Sequence, residues 1–135
     1  MEDIRYLNVD LLIKSREDLT PIVKAFGENV LVLSNNKVSE FHYAYFEIAE
    51  SHAGPNEDIE YFCSLVEGLE KEEKKLWDDS FYRIFDIGYE SGTSNNSYSS
   101  DLRGYVVRMI AQFNASVRVT IYPFAPLPEV NNKKK

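Results

Sequence analysis

Stretches in which apolar and polar residues alternate take turns along this chain with stretches in which apolar residues recur every three or four positions. The order of the two patterns, β-α-β-β-α-β-α-β, restricts the chain to a mixed domain in which helices pack on a sheet. Leu7, Val9, Leu11 and Ile13 alternate with Asn8, Asp10, Leu12 and Lys14, the period of a half-buried strand ending at Ser15. Ser15 and Asp18 then resemble a capping box, with Asp in place of Glu or Gln. Leu19, Ile22, Val23 and Phe26 follow at helical spacing, and Gly27 stands where a left-handed cap is wanted. A short helix is predicted over residues 16–26, with Pro21 in its first turns.

Asn29–Ser34 and Ser39–Glu50 read as two strands of a hairpin, with Asn35-Asn36 as residues tolerant of positive φ at the turn. The later strand is apolar on both faces: Ala44, Phe46 and Ile48 with His42 on one, Phe41, Tyr43 and Tyr45 on the other. The second set is either covered or an exposed aromatic platform.

Pro55 to Asp79 predicts one long amphipathic helix, opened by Gly54-Pro55 and striped by Ile59, Phe62, Cys63, Val66, Leu69, Leu76 and Trp77. A rod of this length would be roughly 36 Å, with Gly68 as its weak point. The segment sets nine acids against three lysines in a chain of formal net charge −7, so the acidity is local. A concentrated negative face either solvates the outside of a helix or meets a basic partner.

Phe81 to Glu90 is a fourth strand, with Phe81, Arg83, Phe85, Ile87 and Tyr89 on one face and Tyr82, Ile84, Asp86 and Gly88 on the other. Arg83 among aromatics is expected to snorkel, stack on a ring or pair with Asp86 or Asp10. Residues 92–100 are Gly, Thr, Ser and Asn with one Tyr, a mobile loop by composition. After Ser99 or Ser100 as cap, Leu102, Tyr105, Val106, Met109, Ile110 and Phe113 define a third helix stopped at Asn114, and Val117, Val119 and Ile121 a fifth strand closed by prolines. The expected fold is α+β: a mainly antiparallel five-stranded sheet with helices on one face, a ferredoxin-like β-α-β-β-α-β unit plus an α-β extension. Residues 1–128 are expected to form one domain and 129–135 a disordered polar tail.

The chain has 135 residues, of which 44% are hydrophobic, enough for one core. With no apolar run near 18 residues and no basic-then-apolar leader, the expectation is a cytoplasmic protein with no membrane association. Its single cysteine, Cys63, falls on a helical apolar stripe and reads as a packing residue. A pI near 4.8 argues against nucleic acid as partner, since Lys133–Lys135 are the only basic run. His42 and His52 sit in no recognisable catalytic frame, no zinc spacing or H-E-x-x-H occurs, and neither phosphate-binding glycine fingerprint is present. No catalytic residue, metal or cofactor is assigned, and the chain is not expected to be an enzyme.

FYRIFDIGYESG at 81–92 and LRGYVVRMIAQFNASVRVTIYPF at 102–124 resemble a group of small bacterial domains of unknown function. These in turn are similar to immunity proteins of polymorphic-toxin and contact-dependent growth inhibition systems. The resemblance implies a cytoplasmic inhibitor that neutralises a cognate toxin, often a nuclease, by covering an essential surface. A basic toxin would be steered by acids and anchored by aromatics, here some of Glu67, Glu70, Glu72, Glu73, Asp78 and Asp79 with Tyr43, Tyr45 or Tyr82. The competing expectation is a small-molecule cleft on the open sheet face using Arg83, Asp86 and Tyr89. A homo-oligomer paired through strand edges is a third.

Overall fold

In the computed structural model, which describes residues 2–50 and 54–124, the eleven residues Arg5–Ser15 form the central strand, β1. His52 and the 129–135 tail lie outside the described residues. β1 pairs antiparallel with β3 (Phe41–Ile48) on one side and β4 (Tyr82–Glu90) on the other. β2 (Val30–Val38) pairs antiparallel with β3, and β5 (Ser116–Tyr122) lies parallel to β4, giving the order β2-β3-β1-β4-β5. The single parallel pair follows from its connection: α4 (Gly104–Gln112) carries the chain back across the sheet before β5 begins. The remaining helices are α1 (Thr20–Phe26), α2 (Pro55–Glu67) and α3 (Lys71–Asp79).

The sheet has one packed face. Leu11 stands opposite Phe46 on β3 and Phe85 on β4, and these bury against Phe26 of α1, Phe62 of α2 and Val106 of α4 in one cluster. Rings of Phe26 and Phe46 meet edge-on at 5.2 Å. Cys63 is buried in the same cluster, and burial with Glu60 and Glu67 nearby pushes its thiol pKa up to about 12. It is an inert packing group at neutral pH.

Four local expectations are corrected. The hairpin turn is Ser39-Glu40, between the paired residues Val38 and Phe41, and Ser39 takes the positive φ of 60°. Asn35 and Asn36 lie inside β2, past an irregularity between Val32 and Ser34. α1 starts at Thr20, not at 16: Asp18 accepts from the Thr20 amide and hydroxyl, while Ser15 accepts from the Glu17 amide in the connecting turn. α4 starts at Gly104 without a side-chain cap. Phe81, expected beside Phe85, lies outside β4 and reaches Phe41 at 5.2 Å, leaving it 48% exposed.

The long helix is two helices. Gly68 ends α2 with its amide returning to Ser64 O, and Glu70 is extended before α3 begins. A straight rod of roughly 36 Å would outrun a nine-residue strand of roughly 30 Å. The break instead folds Trp77 into the core, fully buried, with its indole N–H donating to Phe113 O at 3.1 Å. It also gives Glu72 and Glu73 a helix N-terminus of their own, where the dipole favours acids.

The 92–100 loop, expected to be mobile, and the residues that follow it to Arg103 are tied at several points. The amides of Thr93 and Ser94 donate to Glu2 O at 2.7 and 2.8 Å. Tyr89 shares a 2.6 Å hydrogen bond with Ser100 and packs its ring on Tyr98. Asn56, at the start of α2, donates to Asp101 O and accepts from the Arg103 amide, each at 2.8 Å. Gly92 passes so close to the backbone of Glu2 and Asp3 that a Cβ would overlap it.

Arg83 is a structural tie. Its guanidinium donates to Trp77 O at 3.0 Å, Asn114 O at 3.0 Å, Ser80 Oγ at 2.8 Å and Ser80 O, and lies 5.9 Å from the Trp77 ring. Neither Asp86 nor Asp10 is among these partners; its fork joins the ends of α3 and α4 to β4. Partial burial draws its pKa below the usual range without threatening its charge. Replacing Arg83 by Met orphans these carbonyls, and chemical denaturation should show a loss of about 2 kcal/mol. Arg83→Lys, lacking the fork, should recover less than half of it.

Candidate functional site

Two elements distant in sequence place carboxylates on one groove. The turn after β1 contributes Glu17 and Asp18; the α2–α3 link and α3 contribute Glu70, Glu72, Glu73 and Asp79. Between them lies an open groove of about 1070 Å³, floored by Pro21, Ala25 and Leu76, with Lys24 and Lys75 as its two cations. Lys75 is held by Asp79 at 2.5 Å, so Asp79 is largely neutralised; Asp78 is likewise paired with Lys74 at 2.9 Å, one helical turn away. The hydrogen bonds from Thr20 hold the Asp18 carboxyl below its ordinary pKa. Among the described residues no cation lies within ion-pair distance of Glu17, Glu70, Glu72 or Glu73. One oxygen of Glu73 is shielded from solvent and has no hydrogen-bond partner.

Of the acids expected at a partner surface, the structure brings together Glu70, Glu72, Glu73 and Asp79. Glu67 is in the last turn of α2 and Asp78 points to Lys74, both outside the groove. Glu17 and Asp18 carry no signal in the sequence, because nothing local marks them as neighbours of α3. Asp58, one of the nine acids of the 55–79 segment, is 1% exposed and accepts a hydrogen bond from the Tyr6 hydroxyl. Burial first, and then that contact, raise the Tyr6 phenol above its ordinary pKa.

Tyr43, Tyr45 and Tyr82 lie on the opposite side of the sheet from the helices. Tyr43 and Tyr82 flank Lys14 in register, and Tyr45 stands opposite Leu12. The Lys14 ammonium is 4.8 Å from the Tyr82 ring centre, 5.0 Å from Tyr43 and 6.0 Å from Phe81, so the rings already hold a cation of this chain. Leu12 and Ile84 are buried on this face yet belong to no helix-covered cluster. Neighbouring side chains roof them, an arrangement intermediate between a covered face and an open platform.

The residues of the alternative cleft do not converge. Arg83 is paired with Ile13 and Tyr89 is buried on the helix side, whereas Asp86 is opposite Asp10 on the other face, accepting from Thr120 Oγ1 at 2.7 Å. Among the described residues no three His, Cys, Asp or Glu side chains are placed to hold a metal ion, and no helix is long and apolar enough to cross a membrane. The chain matches no family model, no curated protein and no solved structure.

One titration stands out. Glu47, Asp10 and Asp86 occupy adjacent register positions across β3, β1 and β4, and one Asp10 oxygen is buried without a partner. Burial first, then Glu47 and Asp86, push the Asp10 pKa up to about 6. The folded chain therefore holds this proton more tightly than the unfolded chain, and ionisation above pH 6 opposes folding. Stability contributed by the protonated form grows as pH falls from about 6 towards 4. Asp10→Asn should stabilise the protein by about 1 kcal/mol at pH 7, a figure reduced for the solvent that reaches this half-buried group. The difference from wild type should vanish near pH 4 in urea titrations.

Proposed function

We propose that this chain is a stoichiometric binding protein that inhibits a basic protein partner, in the manner of bacterial toxin-immunity proteins, and that the α1–α3 groove is its docking surface. The observation that carries the reading is the convergence of six carboxylates and two lysines, from separate parts of the chain, on one open surface. Such a field accelerates encounter with a cationic partner and fixes its orientation. The resemblance of residues 81–92 and 102–124 to small bacterial domains that are in turn similar to immunity proteins supports an inhibitor acting on a toxin in the cytoplasm, with no catalysis by this chain.

The connectivity supports a ferredoxin-like reading of the first four strands: their order is β2-β3-β1-β4, all antiparallel, with helices between β1 and β2 and between β3 and β4. The α4–β5 unit is then an addition at one edge.

The test is capture. The immobilised chain, exposed to lysate of its source organism at low salt, should retain one basic protein at 1:1 stoichiometry whose activity it blocks. Reversing Glu70, Glu72 and Glu73 to Lys should slow association by about tenfold or more and flatten its dependence on salt, with circular dichroism unchanged. A partner bound equally fast by the triple variant contradicts the groove, and capture only of acidic or nucleic-acid partners contradicts the reading.

A further inference from the structure

The sheet ends at β5, and that edge lacks the features that usually keep an edge strand from pairing. Ser116–Tyr122 contains no proline and no lysine, and its pairing with β4 runs without irregularity. Val117, Val119 and Ile121 share the face of Phe85, Ile87 and Tyr89, yet Val119 is 56% and Ile121 58% exposed. The helices stop short of them. The opposite edge, β2, also exposes Leu31, Val32 and Leu33, but there the pairing is broken between Val32 and Ser34 and the strand continues through Asn35, Asn36 and Lys37.

We propose that β5 pairs antiparallel with β5 of a second copy of this chain, about a two-fold axis at Val119. The strand is self-complementary in that register. Val117 faces Ile121, Val119 faces its own copy, and all three apolar side chains form one seam on the helix side. On the other face Arg118 stands opposite Thr120 and Ser116 opposite Tyr122. All seven residues of β5 are used, and no charge meets its like. Neighbouring registers fail on the same criteria. An axis at Arg118 opposes two guanidinium groups, and an axis at Thr120 brings Pro123, which has no N–H to donate, opposite Val117. A foreign strand would meet the same backbone edge, but the matched seam and the placement of the lone charge favour a second copy. The α1–α3 groove includes no residue of α4 or β5, so this pairing does not rest on the inhibitor reading.

Cysteine cross-linking of the full chain tests both the dimer and its register. Residues directly opposite in an antiparallel pair have Cα atoms about 4.5 or 5.5 Å apart, within disulfide reach. Val119→Cys should therefore oxidise rapidly to a covalent dimer, while the native Cys63 is buried and gives little background. Val117→Cys alone should not cross-link, whereas Val117→Cys combined with Ile121→Cys should. In sedimentation equilibrium the wild type should be a concentration-dependent dimer, and Val119→Lys should raise its dissociation constant at least tenfold with circular dichroism unchanged. A monomer at every concentration, with Val119→Cys linking no faster than Val117→Cys, overturns the proposal. A dimer that Val119→Lys leaves intact overturns it as well.

Discussion

The apolar stripes of α1, α2 and α4, together with Trp77 of α3, all close on the face of the sheet carrying Val9, Leu11 and Ile13, and what each remaining surface can do follows from that one-sided packing. Burying side chains such as Phe62, Phe85 and Trp77 contributes about 2 kcal/mol or more each, so the helices have little freedom to leave. Because α2 and α3 are both held there, the chain must bend at Gly68, and the bend brings the acids of α3 alongside the turn after β1. The groove is thus a consequence of the core. Its charge is separated by the whole sheet from Tyr43, Tyr45 and Tyr82, which face the other way and gather round Lys14.

The uncovered surfaces differ in how they satisfy themselves. On the far side of the sheet, Leu12 and Ile84 are buried and Arg118 donates to Tyr82 at 2.7 Å, while Asp10 keeps one buried oxygen without a partner beside Glu47 and Asp86. In the groove Lys75 and Asp79 are paired, and among the described residues no cation lies within ion-pair distance of Glu17, Glu70, Glu72 or Glu73. The β5 edge is unsatisfied in another sense, with apolar side chains and backbone groups both open. Charge steers a partner to the first, and strand pairing suits the second.

Period and register were legible in the residues; long-range placement was not. Alternation in β1, β4 and β5 located those strands and their faces, and the mainly antiparallel sheet with helices on one side followed from the order of the elements. Gly68 was visible as a weak point, but whether a helix breaks there depends on where Trp77 finds its cavity, which is a tertiary matter. Asn35-Asn36 carried a stronger turn signal than Ser39-Glu40, and the register with β3 overrode it. Asp58 looked like any acid in a helical first turn, because the tyrosine that binds it is 52 residues away. Glu17 and Asp18 became site residues for the same reason: proximity to α3 is set by the packing of α1, not by anything beside them in the chain.

Hydrogen exchange on the chain, free and bound to the basic protein it captures, tests the central claim that the helical side of the sheet carries the functional surface. The account predicts slowed exchange in residues 17–25 and 70–79, with strands β3 and β4 unchanged. Protection confined to Tyr43, Tyr45 and Tyr82, with the groove exchanging as in the free protein, would contradict it.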